Sequence, residues 1–331
     1  MTQPKLETLP AKSSERELVD QEFDGAIPAI IGQAGNAARF AFEEFLFGKI
    51  RNAHTRKAYL HSTTRFLTWC ERRGLILEQI APSDVGRFID SLSSAPSTKK
   101  VHLAAIRHLF DELVNRHAVI LNPATSVRGE REQTVEGKTP EITLDHARKL
   151  LHSLDTENTV GLRDRAIIGI LIYTAARVGA VSRLKRQNFY DSGSQPCLRF
   201  NEKGGKSREI PVRQDLEQFI TEYLQAAGLC DADKNGPLFR SAAGRTKSLT
   251  LSVMTAGDIG RMVKRRMRDA GLPAHLSPHS FRVTTITDLL TQGVPLEDVQ
   301  HLAGHADPRT TRLYDRRQAN VSRNIVDRIS V

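Results

Sequence analysis

Six side chains, in the order Arg177, Lys203, His279, Arg282, His305 and Tyr314, form the group in this chain best suited to chemistry. A tyrosine hydroxyl, with an ordinary pKa near ~10, attacks phosphorus only beside a base or positive charge. The two histidines and two arginines can supply both. A guanidinium keeps its proton and binds phosphate oxygens through two N–H groups, so it can also hold the added charge of a pentacoordinate transition state. A lysine at a hairpin tip can protonate a departing oxygen. Together these types imply attack on a phosphodiester by tyrosine, without a metal. Taken one at a time, each is more ordinary: a lone arginine is usually a solvated charge and a lone tyrosine usually packing.

Local signals say how the chain would present them. Ser277-Pro278 marks a helix start with an N-cap and an N1 proline, which places His279 and Arg282 three apart on one face of the first turns. Exposed N–H groups and the positive dipole end suit that face to an anion. A second helix from Pro295 would bury Leu296, Val299 and Leu302 and stop at Gly304 in the left-handed conformation, displaying His305 just beyond it. Asp307-Pro308 repeats the start signal and puts Tyr314 in the second turn of a short helix. Arg177 lies within RDRAIIGILIYTAARVGAVSRLK, just after an apolar block that is too continuous for an exposed helix and is expected at the centre of a domain. Lys203 sits in a Lys-Gly-Gly-Lys turn between runs alternating as Leu198/Phe200 and Ile210/Val212, the signature of a hairpin. The i,i+4 pairs His275/His279 and His301/His305 have zinc spacing, but Pro278 and Gly304 interrupt the register and no glutamate lies between them. No metal and no other cofactor is expected.

The rest of the chain reads as support for that group. With 331 residues, two domains are expected, and with 39% hydrophobic residues but no apolar run near ~18, a soluble protein that stays in the cytoplasm, with no membrane contact. Three well-separated cysteines imply neither disulfides nor a zinc site. The net charge is +10, and residues 1–36 are acidic on balance, so the remainder is more basic still and points to a polyanion partner. Residues 1–36 are expected to be a flexible arm. Residues 37–128 read as a helical bundle: Tyr59, Thr63, Phe66 and Cys70 recur at helical spacing, as do Leu103, Ile106, Phe110 and Leu113 after a cap at Ser97-Thr98. Fourteen basic against eight acidic residues in this span suggest a grip on phosphate backbone, with Arg56, Lys57, Arg65, Lys99, Lys100 and Arg107 as the DNA-binding candidates. A charged, apolar-poor stretch at 129–140 reads as linker. Residues 141–331 form the second domain, mixed α+β with a small antiparallel sheet in a mainly α protein.

The ordered set resembles the tyrosine recombinase, or phage integrase, family over about residues 37–320. The likeness is most specific in PHSFR (278–282) and LAGHADPRTTRLYDR (302–316), and weaker in TAARVGA (174–180) and EKGGKSREIPV (202–212). It implies a SAM-like core-site-binding domain ahead of a catalytic domain, and a DNA cutting and rejoining reaction needing no ATP. Under it Tyr314 forms a 3′-phosphotyrosyl bond, Arg177 and Arg282 grip the non-bridging oxygens, and Lys203 protonates the 5′-oxygen. His279 acts as acid and base toward the tyrosine, and His305 hydrogen-bonds the phosphate. Lys206 is a neighbouring alternative to Lys203. The resemblance further implies a homotetramer on two double-stranded DNA sites, a Holliday junction, accessory DNA-bending proteins in some systems, and docking of the C-terminal stripe Val321, Ile325, Ile329. The chain departs from the family at Ala175, where glycine is usual, at Ala180, where an acidic residue is usual, and at Val283. The first two motivate a rival reading, a DNA-binding protein of this fold that no longer cuts. A type IB topoisomerase-like enzyme shares the chemistry, but the small basic bundle and the His-x-x-Arg pair favour a recombinase.

Overall fold

A computed structural model describes residues 27–130, 139–201, 207–244 and 246–315. The chain divides into two compact units between residues 133 and 134, inside the stretch read as linker.

The first unit is helical. Helix α1 (Ala29–Gln33) precedes α2 (Asn36–Glu43), which continues as a π-helical segment (Glu44–Lys49). Then come α3 (Ala53–Glu71), α4 (Pro82–Asp90) and α5 (Pro96–Asn115). Asn52 caps α3 by accepting from Thr55 N–H at 3.1 Å, and the Asp84 carboxylate accepts from Ala81 N–H at 3.0 Å at the start of α4. Phe66 and Cys70 of α3 and Leu103, Ile106, Phe110 and Leu113 of α5 meet in one core, as their spacing predicts, with Tyr59 packed against it. Two expectations are corrected here. Residues 27–36 are part of this unit rather than of an arm, because Ile30 and Ile31 are buried in the core and Ile30 N–H donates to Glu71 at 2.9 Å. A helix of five residues is too short to show a period. Helix α5 starts at Pro96 behind Ala95, with no side-chain cap, so Ser97-Thr98 lies inside it.

The second unit is built around a buried helix. Helix α6 (Leu144–His152) leads to α7 (Thr159–Thr174) and the short α8 (Val178–Val181). Strands β1 (Phe189–Asp191), β2 (Pro196–Asn201) and β3 (Ser207–Pro211) form an antiparallel sheet in that order. Helix α9 (Gln214–Ala226), a two-stranded hairpin of β4 (Arg240–Ala242) and β5 (Leu249–Val253), and helices α10 (Ala256–Asp269), α11 (Pro278–Thr291), α12 (Leu296–Ala303) and α13 (Pro308–Arg312) complete it. Helix α7 buries Val160, Ala166, Ile167, Ile168, Ile170 and Leu171 and packs against α9 and α11, which fulfils its reading as the domain's centre. Gly169 permits the approach of α9, since a Cβ there would lie 3.0 Å from Leu216. In the hairpin, Leu198 pairs with Ile210 and Phe200 with Arg208 on the buried face, while Arg199 and Glu209 pair on the outer one. Among the described residues no helix is long and apolar enough to cross a membrane.

Candidate active site

All the described members of the chemical set lie in the second unit, and each is placed at or near a helix start or helix end. Helix α7 ends at Ala175, which adopts φ 50° and ψ 23°, a left-handed conformation that costs a residue with a Cβ roughly 1–2 kcal/mol. This turn reverses the chain so that Arg177 stands at the N-cap of α8, exposed, with its Nη1 reaching Gly304 O at 3.5 Å. It also aims the Ala175 carbonyl at Arg282, whose Nη1 donates to it. Arg282 is 1% exposed and comes from the first turns of α11. The start of that helix differs in detail from expectation: Ser277 occupies the cap position, but Ser280 Oγ accepts from Ser277 N–H at 3.1 Å and the Ser277 side chain makes no cap bond.

Gly304 closes α12 at φ 62°, the left-handed cap predicted for it, and the chain turns so that His305 points inward. His305 is 7% exposed, and its Nδ1 lies 2.9 Å from Thr311 Oγ1. Asp307 caps α13 through Arg309 N–H at 2.9 Å. The helix ends at Arg312, two residues short of Tyr314, whose N–H closes onto Thr311 O at 3.0 Å in a turn beyond it. Tyr314 therefore emerges from a turn rather than from a second helical turn. Its ring stacks on His305 with centroids 5.8 Å apart and planes 12° apart, and it packs on a small cluster of Ala175, Ile286, Leu290, Val299 and Ala303.

These placements bring the groups together. Tyr314 Oη lies 3.4 Å from His279 Nε2. For this nitrogen to accept the phenolic proton the ring must carry its own proton on Nδ1. The field of the site favours the neutral form: desolvation among packed neighbours, then the charges of Arg282 and Arg177, hold the His279 pKa below the ordinary imidazole value although the residue keeps an exposed edge. His305 is pushed down to about 3, first by burial and then by Arg282, Arg177, His279 and Arg208. A neutral His305 can exchange a hydrogen bond with Thr311 and still present its other nitrogen. Lys203 and Lys206 fall outside the described residues, as does the stripe Val321, Ile325, Ile329.

Several residues of the site gave no usable sequence signal. Thr311 orients His305, Gly304 O meets Arg177, and Ala175 O holds Arg282 across 107 positions of sequence. Backbone acceptors carry no residue-type signature, which is why only the helix-end pattern at Gly304 was legible.

In the first unit the six DNA-binding candidates separate. Arg56 is buried, with Nε donating to Leu46 O at 3.0 Å and Nη2 to Ile50 O at 2.9 Å, so it fastens the π-helical segment to α3. Arg107 likewise donates to Ala124 O and Val127 O. Each thereby spends two of its five N–H groups on backbone carbonyls within the unit. Lys99 is paired with Glu130 at 2.7 Å. Lys57, Arg65 and Lys100 are exposed. Arg65 borders a hollow between α3 and the start of α5 that is also lined by His61, Ser97 and Thr98.

Comparison with known proteins agrees with this architecture. Residues 140–320 match the Phage integrase family, and residues 41–117 match the Phage integrase N-terminal SAM-like domain. The tyrosine recombinase XerD of Chlorobaculum tepidum is 29% identical over 272 residues, covering 80% of this chain and 86% of its own. The tyrosine recombinase XerC of Pelobacter propionicus is 31% identical over 213 residues, covering 64% of this chain and 66% of its own. Among solved structures, XerH site-specific recombinase bound to difH substrate before cleavage aligns with a TM-score of 0.67 at 19% identity, covering 94% of this chain and 86% of that one. A lambda integrase tetramer bound to a Holliday junction aligns with a TM-score of 0.63 at 15% identity, covering 90% and 80%. The chain belongs to the phage integrase family. It is thereby a tyrosine-type site-specific recombinase.

Proposed function

We propose that Tyr314 is the nucleophile with which this protein cuts and rejoins DNA, through a 3′-phosphotyrosyl intermediate and a Holliday junction. The observation that carries this reading is the approach of Tyr314 Oη to His279 Nε2 at 3.4 Å beside Arg177 and Arg282. His279 accepts the phenolic proton as Oη attacks phosphorus. Arg177 and Arg282 bind the non-bridging oxygens as charge builds on them, and His305 hydrogen-bonds the phosphate. The P–O5′ bond breaks, and Lys203 donates the proton that the departing 5′-oxygen takes up. The phosphotyrosyl ester conserves the phosphodiester, so a 5′-hydroxyl from the same or a partner duplex reverses the step without ATP. Lys57, Arg65 and Lys100 of the first unit contact the phosphate backbone, and four subunits bring two core sites together in the cytoplasm, on the nucleoid.

Duplexes selected from a random pool by the full chain, nicked near the selected site, test the reading. The expected result is an SDS-resistant protein–DNA adduct that Tyr314→Phe abolishes while duplex affinity is kept. A wild-type chain that binds its selected duplex and forms no adduct overturns it. Sedimentation of the complex with two-site DNA reads the tetramer.

A further inference from the structure

The residues that hold Arg282 extend past Ala175. Arg208 stands on β3 with only 5% of its surface exposed, opposite Phe200 in the strand register, its guanidinium carbon 5.1 Å from the centre of that ring. Its Nη1 reaches Thr174 O at 3.4 Å. Thr174 and Ala175 are consecutive, so two guanidinium groups, one from the sheet and one from α11, bind neighbouring carbonyls at the C-terminal end of α7. The same end is fixed by Thr285 Oγ1, which donates to Ile172 O at 2.5 Å, and by Thr174 Oγ1, which donates to Ile170 O at 2.6 Å. The last carbonyls of a helix lack partners within it and carry the negative end of its dipole, which makes them natural acceptors for cations.

We propose that Arg208 is a positioning residue for the phosphate site, acting through the Thr174–Ala175 turn on Arg282. Seated between Phe200 and the helix end, it fixes the peptide whose next carbonyl aims the Arg282 guanidinium. It also ties β3 at the root of the β2–β3 hairpin to the element that holds Arg282. Its charge reaches the site as well, as the last in order of the causes that depress His305. The inference concerns the site proposed above and relies on that reading for its rate measurement alone.

The test compares the full chain with R208Q and R208K. Two quantities are read: adduct formation at saturating nicked duplex, and the His305 imidazole titration followed by NMR in the protein without DNA. R208Q is expected to slow adduct formation roughly 10–100-fold, the scale of a small misplacement of a catalytic group, with duplex affinity unchanged and the His305 midpoint raised. R208K keeps the charge, so its titration stays at the wild-type value while its rate falls between the other two. R208Q is further expected to add little to the loss in R282K, since both act through one guanidinium. A folded R208Q with wild-type rate and titration overturns the proposal. If R208Q does not fold, R208K decides, and a wild-type rate there overturns it. If the wild type forms no adduct, the functional reading fails on its own, and an unmoved His305 midpoint in R208Q then overturns this inference separately.

Discussion

The two ends of α7 both engage pairs of arginines, and they do so by opposite means. Near its start, Asp164 is wholly buried and accepts from Arg163 Nε and Nη2 at 3.0 and 2.6 Å and from Arg266 Nε and Nη2 at 2.9 and 2.7 Å. At its far end, the carbonyls of Thr174 and Ala175 hold Arg208 and Arg282. A carboxylate cancels one of the charges it binds, whereas a carbonyl dipole orients a guanidinium and leaves its charge in place. After burial, which is the first cause, the charge of Arg282 helps hold both His279 and His305 below the ordinary imidazole value, and Arg208 adds to it at His305. The first arrangement braces the fold, and the second leaves positive charge at the site proposed to meet a phosphate.

The sharpest way to break this contrast is Asp164→Asn. It leaves two arginines around an uncharged partner and is expected to cost about 3–5 kcal/mol of stability in urea unfolding, without a specific effect on the adduct rate of the folded fraction. A loss below about 1 kcal/mol would show that the two ends are alike. Arg282→Ala should do the reverse in kinetics: about 10²–10³-fold slower adduct formation, as for loss of one donor to a developing oxyanion. Equal loss of duplex affinity and rate would assign Arg282 to binding instead.

Next in size is a pH effect. His305 has a folded pKa of about 3 against an ordinary 6.5, so below pH 6.5 the unfolded chain binds the proton first. Its contribution is complete above 6.5 and is lost as pH falls toward 3, with a slope of up to about 1.4 kcal/mol per pH unit. His279 is shifted in the same direction and shares the upper part of that window. Urea midpoints of His305→Gln between pH 7 and 4 should fall less steeply than wild type, and parallel curves would remove His305 from the account. The smallest change expected is Ala175→Gly. Relief of the left-handed strain is roughly 1–2 kcal/mol, while the lost methyl burial costs about 0.8 kcal/mol and glycine's added chain entropy about 0.5–1 kcal/mol. The sum lies within about 0.8 kcal/mol of zero. Ala175→Val, which is β-branched at a positive φ, should be clearly destabilising.

Much of the site was legible because its pieces are marked locally. Pro278 and Pro308 open helices, Gly304 closes one in the left-handed form, and alternation at Leu198/Phe200 and Ile210 marks the hairpin. The left-handed Ala175 was noticed only as a departure from a glycine, and its carbonyl role had no marker. Helix α1 and strand β4 carry no sequence signal because five residues are too few for a helical period and three too few for alternation. Arg56 and Arg107 illustrate a related point: composition counts a charge without saying which of its donors backbone carbonyls engage.

By itself the sequence determined which chemical groups are present, which helix ends display them, and that a basic helical unit precedes a mixed one, since caps, breakers and spacing act within a few residues. The tertiary structure decided which arginines gather beside Tyr314 and His279 and which brace the fold elsewhere. That choice depends on backbone carbonyls and carboxylates brought close by folding, such as Ala175 to Arg282 and Asp164 to Arg266, and no pattern along the chain encodes such an approach.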